Sequence, residues 1–223
     1  MDFACINDFY TADSILADNM TIANTVSRYN AKDDVQFDDL YFLTGKFQKM
    51  KALLAELKLY NRNKTSKLFS IDLHQIKKFY DDMSKMSVGE KGHPGGPCKP
   101  GITRPFVDIN GVIYPCEKVS EDSDIMKIGH IDTGFDLEKI NAMLNVGKIT
   151  EDECKVCWNF IHCGLCVATC DGNSGFSKEE RLKYCLSSMY NTFDTLKTIC
   201  WFLENGFDFS SMLFTEKGRD HHE

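Results

Sequence analysis

Residues 154–170 read CKVCWNFIHCGLCVATC, and this stretch decides what kind of domain the chain contains. It holds five cysteines within seventeen residues. Thiols separated by two residues, as in Cys154/Cys157 and Cys163/Cys166, reach one metal centre while the backbone between them turns around it. The spacing therefore indicates metal or redox chemistry. It leaves a zinc site, a set of disulfides and an iron–sulfur centre to be compared.

The compartment bears on that comparison. The chain has ten cysteines among 223 residues. Its first ten residues, MDFACINDFY, lack the basic and apolar segments of a secretory signal, and we expect a cytoplasmic location. In a reducing cytosol, closely spaced cysteines more often bind metals than form disulfides. Two of the ten, Cys5 and Cys200, stand apart, and we expect both to be buried structural residues.

Composition excludes some partners. The formal net charge is −7 and no dense Lys/Arg block is present. Phosphate neutralisation needs a basic surface, so we expect no nucleic acid partner. No apolar run approaches the roughly 18 residues that span a bilayer, so we expect no membrane partner. The hydrophobic fraction of 43% is that of a globular protein with a real core.

The predicted fold class is α+β, in which a mostly helical N-terminal segment precedes a small cluster-binding domain with a β-hairpin and a long C-terminal helix. The Gly/Pro-rich residues 89–97, GEKGHPGGP, mark the break between the two parts. We predict a helical segment at 1–88, an iron–sulfur domain at 89–206 and a flexible tail at 207–223.

Apolar spacings of three and four residues predict helices in the first part. A strand or turn is expected near Phe3–Ile6 and a helix near Ala12–Met20. One longer helix is expected to bury a single face, made of Leu40, Leu43, Phe47, Met50, Leu54 and Leu57. A second helix is expected to bury another, made of Leu73, Ile76, Phe79, Tyr80 and Met83.

The second part opens with a hairpin signal, since Asn110-Gly111 lies between β-forming residues and predicts a type I′ turn. A short strand is expected from Met126 to Ile131 and a helix from Phe135 to Asn145. The last helix is expected from Lys178 to Asn205, with Ser177 and Glu180 as a capping box and Gly206 as its end. Its predicted apolar face comprises Leu182, Cys185, Met189, Phe193, Leu196, Cys200 and Leu203.

The thiol spacing favours iron–sulfur clusters over zinc. Zinc ribbons usually place about 15–20 residues between two such pairs, whereas five residues separate Cys157 from Cys163. Iron–sulfur clusters take four thiolates each, often three from a compact run and one from a distant segment. Eight cysteines from Cys98 through Cys185 match two clusters. The apolar Trp158, Phe160 and Ile161 are expected either to shield a cluster from water or simply to pack in the core.

The full pattern resembles the SPASM domain of radical SAM enzymes, as found in maturases that modify cysteine-rich ribosomal peptides. The matching positions are Cys98-x12-Gly111-x4-Cys116, then Cys154-x2-Cys157-x5-Cys163, and finally Cys185. The residues before Cys98 are similar to the segment that joins the radical SAM barrel to that domain. One departure is that the family's next cysteine falls on Val167, so that Cys166 or Cys170 must replace it, and we favour Cys166.

The resemblance implies two auxiliary 4Fe–4S clusters. One would use Cys98, Cys116 and Cys166, with Cys170 as fourth ligand or an open iron site that takes a peptide thiolate. The other would use four cysteines, namely Cys154, Cys157, Cys163 and Cys185.

The resemblance also implies the partners. The chain lacks the Cys-x3-Cys-x2-Cys motif that cleaves S-adenosylmethionine, since Asn173 stands where the third cysteine would follow Cys166 and Cys170. We therefore expect no S-adenosylmethionine binding and no complete radical SAM enzyme in this chain. The expected role is the C-terminal part or accessory half of a peptide maturase, whose partners are a cysteine-rich precursor peptide and a separate barrel protein. Two alternatives stay open, a zinc-binding interaction module and a stand-alone ferredoxin-like electron carrier.

Overall fold

The computed structural model describes residues 3–12, 39–83, 92–94, 98–102 and 104–211. Helices and a small antiparallel sheet occupy separate parts of the sequence, which confirms the predicted α+β class. The described residues fall into two compact units. Unit 1 comprises residues 3–12, 39–83 and 195–211, and unit 2 comprises residues 92–94, 98–102 and 104–194.

Unit 1 is helical. Its helices are α1 (Phe3–Ala12), α2 (Asp39–Glu56) and α3 (Ser70–Met83). The strand or turn expected near Phe3–Ile6 is wrong, because Phe3 begins a helix and buries its ring against Phe69 and Tyr41. The helix expected near Ala12–Met20 falls on residues 13–20, which lie outside the described part.

The apolar face expected on α2 is also wrong. Its first four members are 48–68% exposed, namely Leu40, Leu43, Phe47 and Met50. The buried residues lie in the last turns of α2, at Ala52, Leu53 and Ala55. Hydrophobic spacing identifies which residues share a side of a helix, but only the packed neighbours decide which side is covered.

The core of unit 1 forms where α2 and α3 meet the C-terminal part of the chain. On α3, Leu73 and Ile76 are buried as predicted, and Tyr80 stacks on Phe209 with ring centroids 4.2 Å apart. The buried members of this cluster are Ala52, Leu53, Leu73, Ile76, Ile199, Phe202 and Phe209.

Unit 2 is built on a four-stranded antiparallel sheet in the order β1-β2-β3-β4. Its strands are β1 (Phe106–Val107), β2 (Val112–Tyr114), β3 (Gly129–His130) and β4 (Gly134–Phe135). The predicted strand within Met126–Ile131 corresponds to β3. The helices α4 (Leu137–Leu144) and α5 (Glu151–Lys155) follow the sheet.

The β1–β2 hairpin forms where it was predicted, but its turn differs. Phe106 pairs with Tyr114 and Val107 with Ile113. The Asp108 carbonyl accepts a hydrogen bond from the Gly111 N–H at 3.1 Å, and Gly111 has a φ of +82° whereas Asn110 has no positive φ. A type I turn followed by a left-handed glycine therefore closes the hairpin, instead of a type I′ turn. The Asp108 carboxylate stabilises this form by accepting from the N–H groups of Asn110 and Val112.

The predicted C-terminal helix divides into α6 (Lys178–Lys183) and α7 (Cys185–Glu204). The Ser177 hydroxyl caps α6 by accepting from the Glu180 N–H, as predicted. Gly206, at a φ of +70°, ends α7 as predicted. The expected apolar face is only partly covered, since Phe193, Cys200 and Leu203 are exposed. The buried positions of α7 lie on the adjacent side of the helix, at Ser188, Thr192, Ile199 and Phe202.

The core of unit 2 joins the sheet to the cysteine-rich stretch. Its buried members are Ile113, Tyr114, Val119, Met126, Ile128, Met143, Val146, Val167, Ala168 and Cys170. Among the described residues, no helix combines the length and the apolar character that a membrane span requires.

Candidate metal centre

The candidate ligands all lie in unit 2 and all carry free thiols. Cys170 is fully buried and the other seven are half-buried. Cys116 follows β2, Cys154 lies on α5, and Cys185 begins α7. Helices and the segments between elements thus supply thiols to the same unit. The candidate ligands span 88 residues of sequence, from Cys98 to Cys185.

A first group of thiols forms around Cys98. Burial, and after it the charges of Cys166 and Cys116, raise the pKa of the Cys98 thiol to about 11. Two neighbouring thiolates disfavour a third because like charges repel in a partly desolvated space. Cys98, Cys116 and Cys166 also pack against the same buried core, so the structure brings together three residues that are distant from one another in sequence.

Cys170 borders this group but has a partner of its own. Burial raises its pKa, the Arg181 guanidinium opposes that rise, and the Cys166 charge adds to it. Arg181 donates a hydrogen bond from Nη1 to Sγ of Cys170 at 3.1 Å. Cys170 is thus held by a buried cation, whereas Cys166 interacts with Cys98.

A second group forms where α5 approaches the start of α7. Burial raises the pKa of Cys185, and the charges of Cys163, Cys154 and Cys157 raise it further. A backbone hydrogen bond of 3.2 Å from the Cys157 N–H to the Cys154 carbonyl turns the chain between these two thiols. The structure thus brings Cys185 close to Cys154, Cys157 and Cys163.

Buried hydroxyl groups contact sulfurs of this second group. The Cys154 thiol lies 3.3 Å from Oγ1 of the fully buried Thr150. The Ser188 hydroxyl lies 3.7 Å from Sγ of Cys163 and accepts a hydrogen bond from the Asn159 amide at 3.1 Å. A hydroxyl group donates to a thiolate when the cysteine loses its proton, so these residues are suited to stabilise anionic sulfur.

The described residues contain no group of three or more His, Cys, Asp or Glu side chains compact enough to hold a metal ion. Ligands of a four-iron cluster surround four irons and their sulfides, so their sulfurs stand farther apart than sulfurs that share one ion. The donor chemistry fits such a cluster, because each group gathers at least three free thiols. Hydroxyl or guanidinium groups also lie beside the sulfurs of Cys154, Cys163 and Cys170.

A cavity of about 840 Å³ opens beside the second group. Cys154 and Cys157 form part of its wall, together with the aromatic rings of Trp158 and Phe160. Trp158 is 57% exposed, so it faces the cavity and solvent. It does not shield the thiols from water, which differs from the expectation. The remaining wall includes Lys148, Glu151 and Lys155, so the cavity offers apolar and charged contacts.

The two leftover cysteines differ from expectation. Cys5 on α1 and Cys200 on α7 are both exposed, because the sides of the helices that carry them are not the sides that pack into the core of unit 1. Sequence reasoning also missed Arg181, Ser188 and Thr150 as contacts of the thiols. One sequence feature could have found two of them, because Arg181 lies four residues before Cys185 and Ser188 lies three residues after it.

No protein-family model matches the chain. No curated protein matches it, and no solved structure matches it. The resemblance to the SPASM domain therefore rests on the cysteine pattern alone.

Proposed function

We propose that the chain binds two 4Fe–4S clusters and serves as the C-terminal part or accessory half of a radical SAM enzyme that modifies a ribosomally made, cysteine-rich peptide, for example by thioether crosslinking. The single observation that carries the proposal is that the thiols gather in two groups within unit 2. Cysteine pattern and spatial grouping support the same division.

The proposed ligands follow from that division. Cys98, Cys116 and Cys166 hold the first cluster, beside Cys170. The second cluster is held by Cys154, Cys157, Cys163 and Cys185. Such clusters, when bound, supply one-electron transfer and, where an iron lacks a protein ligand, a site for an external thiolate.

The protein's own residues would prepare this chemistry. Thr150 and Ser188 place hydroxyl groups beside Cys154 and Cys163, and hydrogen bonds to ligand sulfurs are one of the means by which a protein tunes a cluster. The cavity next to Cys154 and Cys157 is the proposed place for part of the precursor peptide, since it joins aromatic walls to charged groups. A cytoplasmic location belongs to this proposal, because a reducing compartment keeps the ligand thiols free.

Anaerobic reconstitution with iron and sulfide tests the proposal. We expect about eight irons and about eight sulfides per chain, with absorbance near 400 nm, because each cluster contains four of each. The double variants Cys98→Ser/Cys116→Ser and Cys154→Ser/Cys157→Ser should each retain about half of the iron. The matched control is Cys5→Ser/Cys200→Ser, which removes two exposed thiols outside the two groups and should retain all of it.

The alternatives give different results. A colourless chain with stoichiometric zinc, which loses its fold in chelator but not in oxygen, would show a zinc-binding interaction module. Full iron content and reversible reduction without affinity for any cysteine-rich peptide would show an electron carrier.

Peptide binding has its own reporter in Trp158. The chain has two tryptophans, and the Trp201→Phe variant leaves only the one that lines the cavity. A cysteine-rich precursor peptide should change the emission of this variant saturably, whereas a scrambled peptide with its cysteines replaced by serine should not.

A further inference from the structure

Arg181 is a cation sealed inside unit 2. Its side chain, on α6, is 1% exposed. The Nη1 group donates to Sγ of Cys170 at 3.1 Å. The Nη2 group is buried and has no hydrogen-bond partner among the described residues. An ionised group taken out of water is costly unless it is paired and hydrogen-bonded, so this guanidinium requires an anion.

Within the described part of the chain, no carboxylate meets that requirement. The ion pairs of the described residues do not include Arg181. Its Nη1 group instead contacts a sulfur, that of Cys170. Its charge opposes the rise that burial causes in the pKa of Cys170 and, as the smallest of the causes, in the pKa of Cys185.

The position of Arg181 in the sequence and fold explains why it lies near both Cys170 and Cys185. Arg181 precedes Cys185 by four residues, and the short helix α6 ends between them at Lys183. Cys170 lies at the end of the turn Val167–Cys170, which packs under α6 through the backbone hydrogen bond from the Ser177 N–H to the Cys170 carbonyl at 2.8 Å. The guanidinium is therefore fixed beside the first group and close to a ligand of the second.

We propose that Arg181 is the buried counter-cation of both thiol groups and that it sets the reduction potentials of the clusters they hold. This inference rests on the proposed function. Thiolate-bound clusters are anionic and gain one further negative charge on reduction by a one-electron reductant, so a fixed positive charge nearby favours the reduced state. The effect is large because the charge is buried and little screened.

The test compares Arg181→Met, which removes the charge, with Arg181→Lys, which retains it. Both chains are reconstituted, and the midpoint potentials are measured by anaerobic redox titration with optical and electron-paramagnetic-resonance detection. We expect Arg181→Met to shift the reduction equilibrium at least tenfold toward the oxidised state, about 59 mV lower for a one-electron couple. Arg181→Lys should stay within about twofold of the unchanged chain, or about 20 mV.

Lys183→Met supplies the matched control. Lys183 lies on the same helix, but its side chain is 62% exposed and pairs with Glu180. Its removal changes the net charge by the same amount as Arg181→Met. Because water and salt screen an exposed charge, the midpoint potentials should be unchanged.

The outcomes distinguish a failure of the proposed function from a failure of the inference about Arg181. An unchanged chain that takes up no iron overturns the proposed function and this inference with it. Normal iron content with the same potentials in Arg181→Met overturns the inference alone and leaves the clusters in place. If Arg181→Met does not fold, Arg181→Lys decides, because a shift of tenfold or more in a chain that keeps the charge would contradict the assignment.

Discussion

The hydroxyl of Ser188 lies 3.7 Å from the sulfur of Cys163, across 25 residues of sequence. The same oxygen accepts hydrogen bonds from the Asn159 amide and from the Gly164 N–H. One small side chain thus joins α7 to the cysteine-rich stretch.

Replacing Ser188 by alanine should lower the free energy of unfolding by about 1–3 kcal/mol, because the amide of the buried Asn159 loses its partner. Chemical denaturation of the metal-free chain measures the change. Ser187→Ala is the control, since Ser187 is the exposed neighbour on the same helix, and equal losses in the two variants would contradict the assigned contact.

Cys166 and Cys170 should differ in their effect on iron content. Cys166 interacts with Cys98, whereas Cys170 is engaged by Arg181. We expect Cys166→Ala to lose about four irons per chain, one cluster's content, and Cys170→Ala to retain them. Iron and sulfide analysis after reconstitution checks this, with the exposed Cys200→Ala as control. If only Cys170→Ala lost iron, Cys170 would be the cluster ligand and Cys166 would not.

Asp108 should make the β1–β2 hairpin sensitive to acid. Desolvation acts to raise the pKa of its carboxyl, but hydrogen bonds from the N–H groups of Val112 and Asn110 outweigh it, so the pKa lies below its ordinary value of 3.8. A lowered pKa in the folded state contributes stability above the unfolded pKa, and this contribution disappears as the pH falls through the folded pKa.

The measurement is the difference in denaturation midpoint between the unchanged chain and Asp108→Asn. The unchanged chain should be the more stable at pH 7, and the difference should shrink as the pH is lowered from about 4 toward 2. A difference that stays constant over this range would exclude the charge of Asp108 as its cause.

Gly111 should resist substitution for two reasons that can be separated. Its φ is +82°, and an added Cβ would lie 2.8 Å from Cγ1 of Ile131 and 3.0 Å from Nε2 of His130. Gly134 has a φ of +79° and nothing within 4 Å of an added Cβ. Gly134→Ala should therefore cost the backbone conformation alone, about 1–2 kcal/mol, and Gly111→Ala should cost more.

Thermal or chemical denaturation checks the order of these variants. Gly164→Ala is the neutral reference, since Gly164 has neither a positive φ nor a neighbour near an added Cβ. If Gly111→Ala and Gly134→Ala cost the same, the contact with Ile131 and His130 carries no weight.

Local features were predictable where local chemistry decides them. The Asn-Gly hairpin, the Ser177 cap and the Gly206 stop follow from backbone preferences of single residues, and each appears at its predicted position. The turn type was not predictable to the same degree, because Asp108 binds two N–H groups and so stabilises the type I form over type I′.

Helix faces were less predictable. The spacing of Leu40, Leu43, Phe47 and Met50 marks one side of α2, yet the buried side is that of Ala52 and Ala55. On α7, Phe193 and Leu203 are exposed, whereas the polar Ser188 and Thr192 are buried. Packing partners, which no periodicity reveals, decide burial.

By itself, the sequence determined the α+β class, the hairpin, the cap at Ser177, the helix end at Gly206 and the cysteine pattern, since each depends on residue type and spacing along the chain. Only the tertiary structure decided that Cys98 and Cys166 pack against one core and that Cys185 lies near Cys163. It also decided that Arg181 is buried beside Cys170 and forms no ion pair with a described carboxylate. The physical reason is that desolvation and charge act through space, so the environment of a thiol depends on whichever segments the fold brings around it.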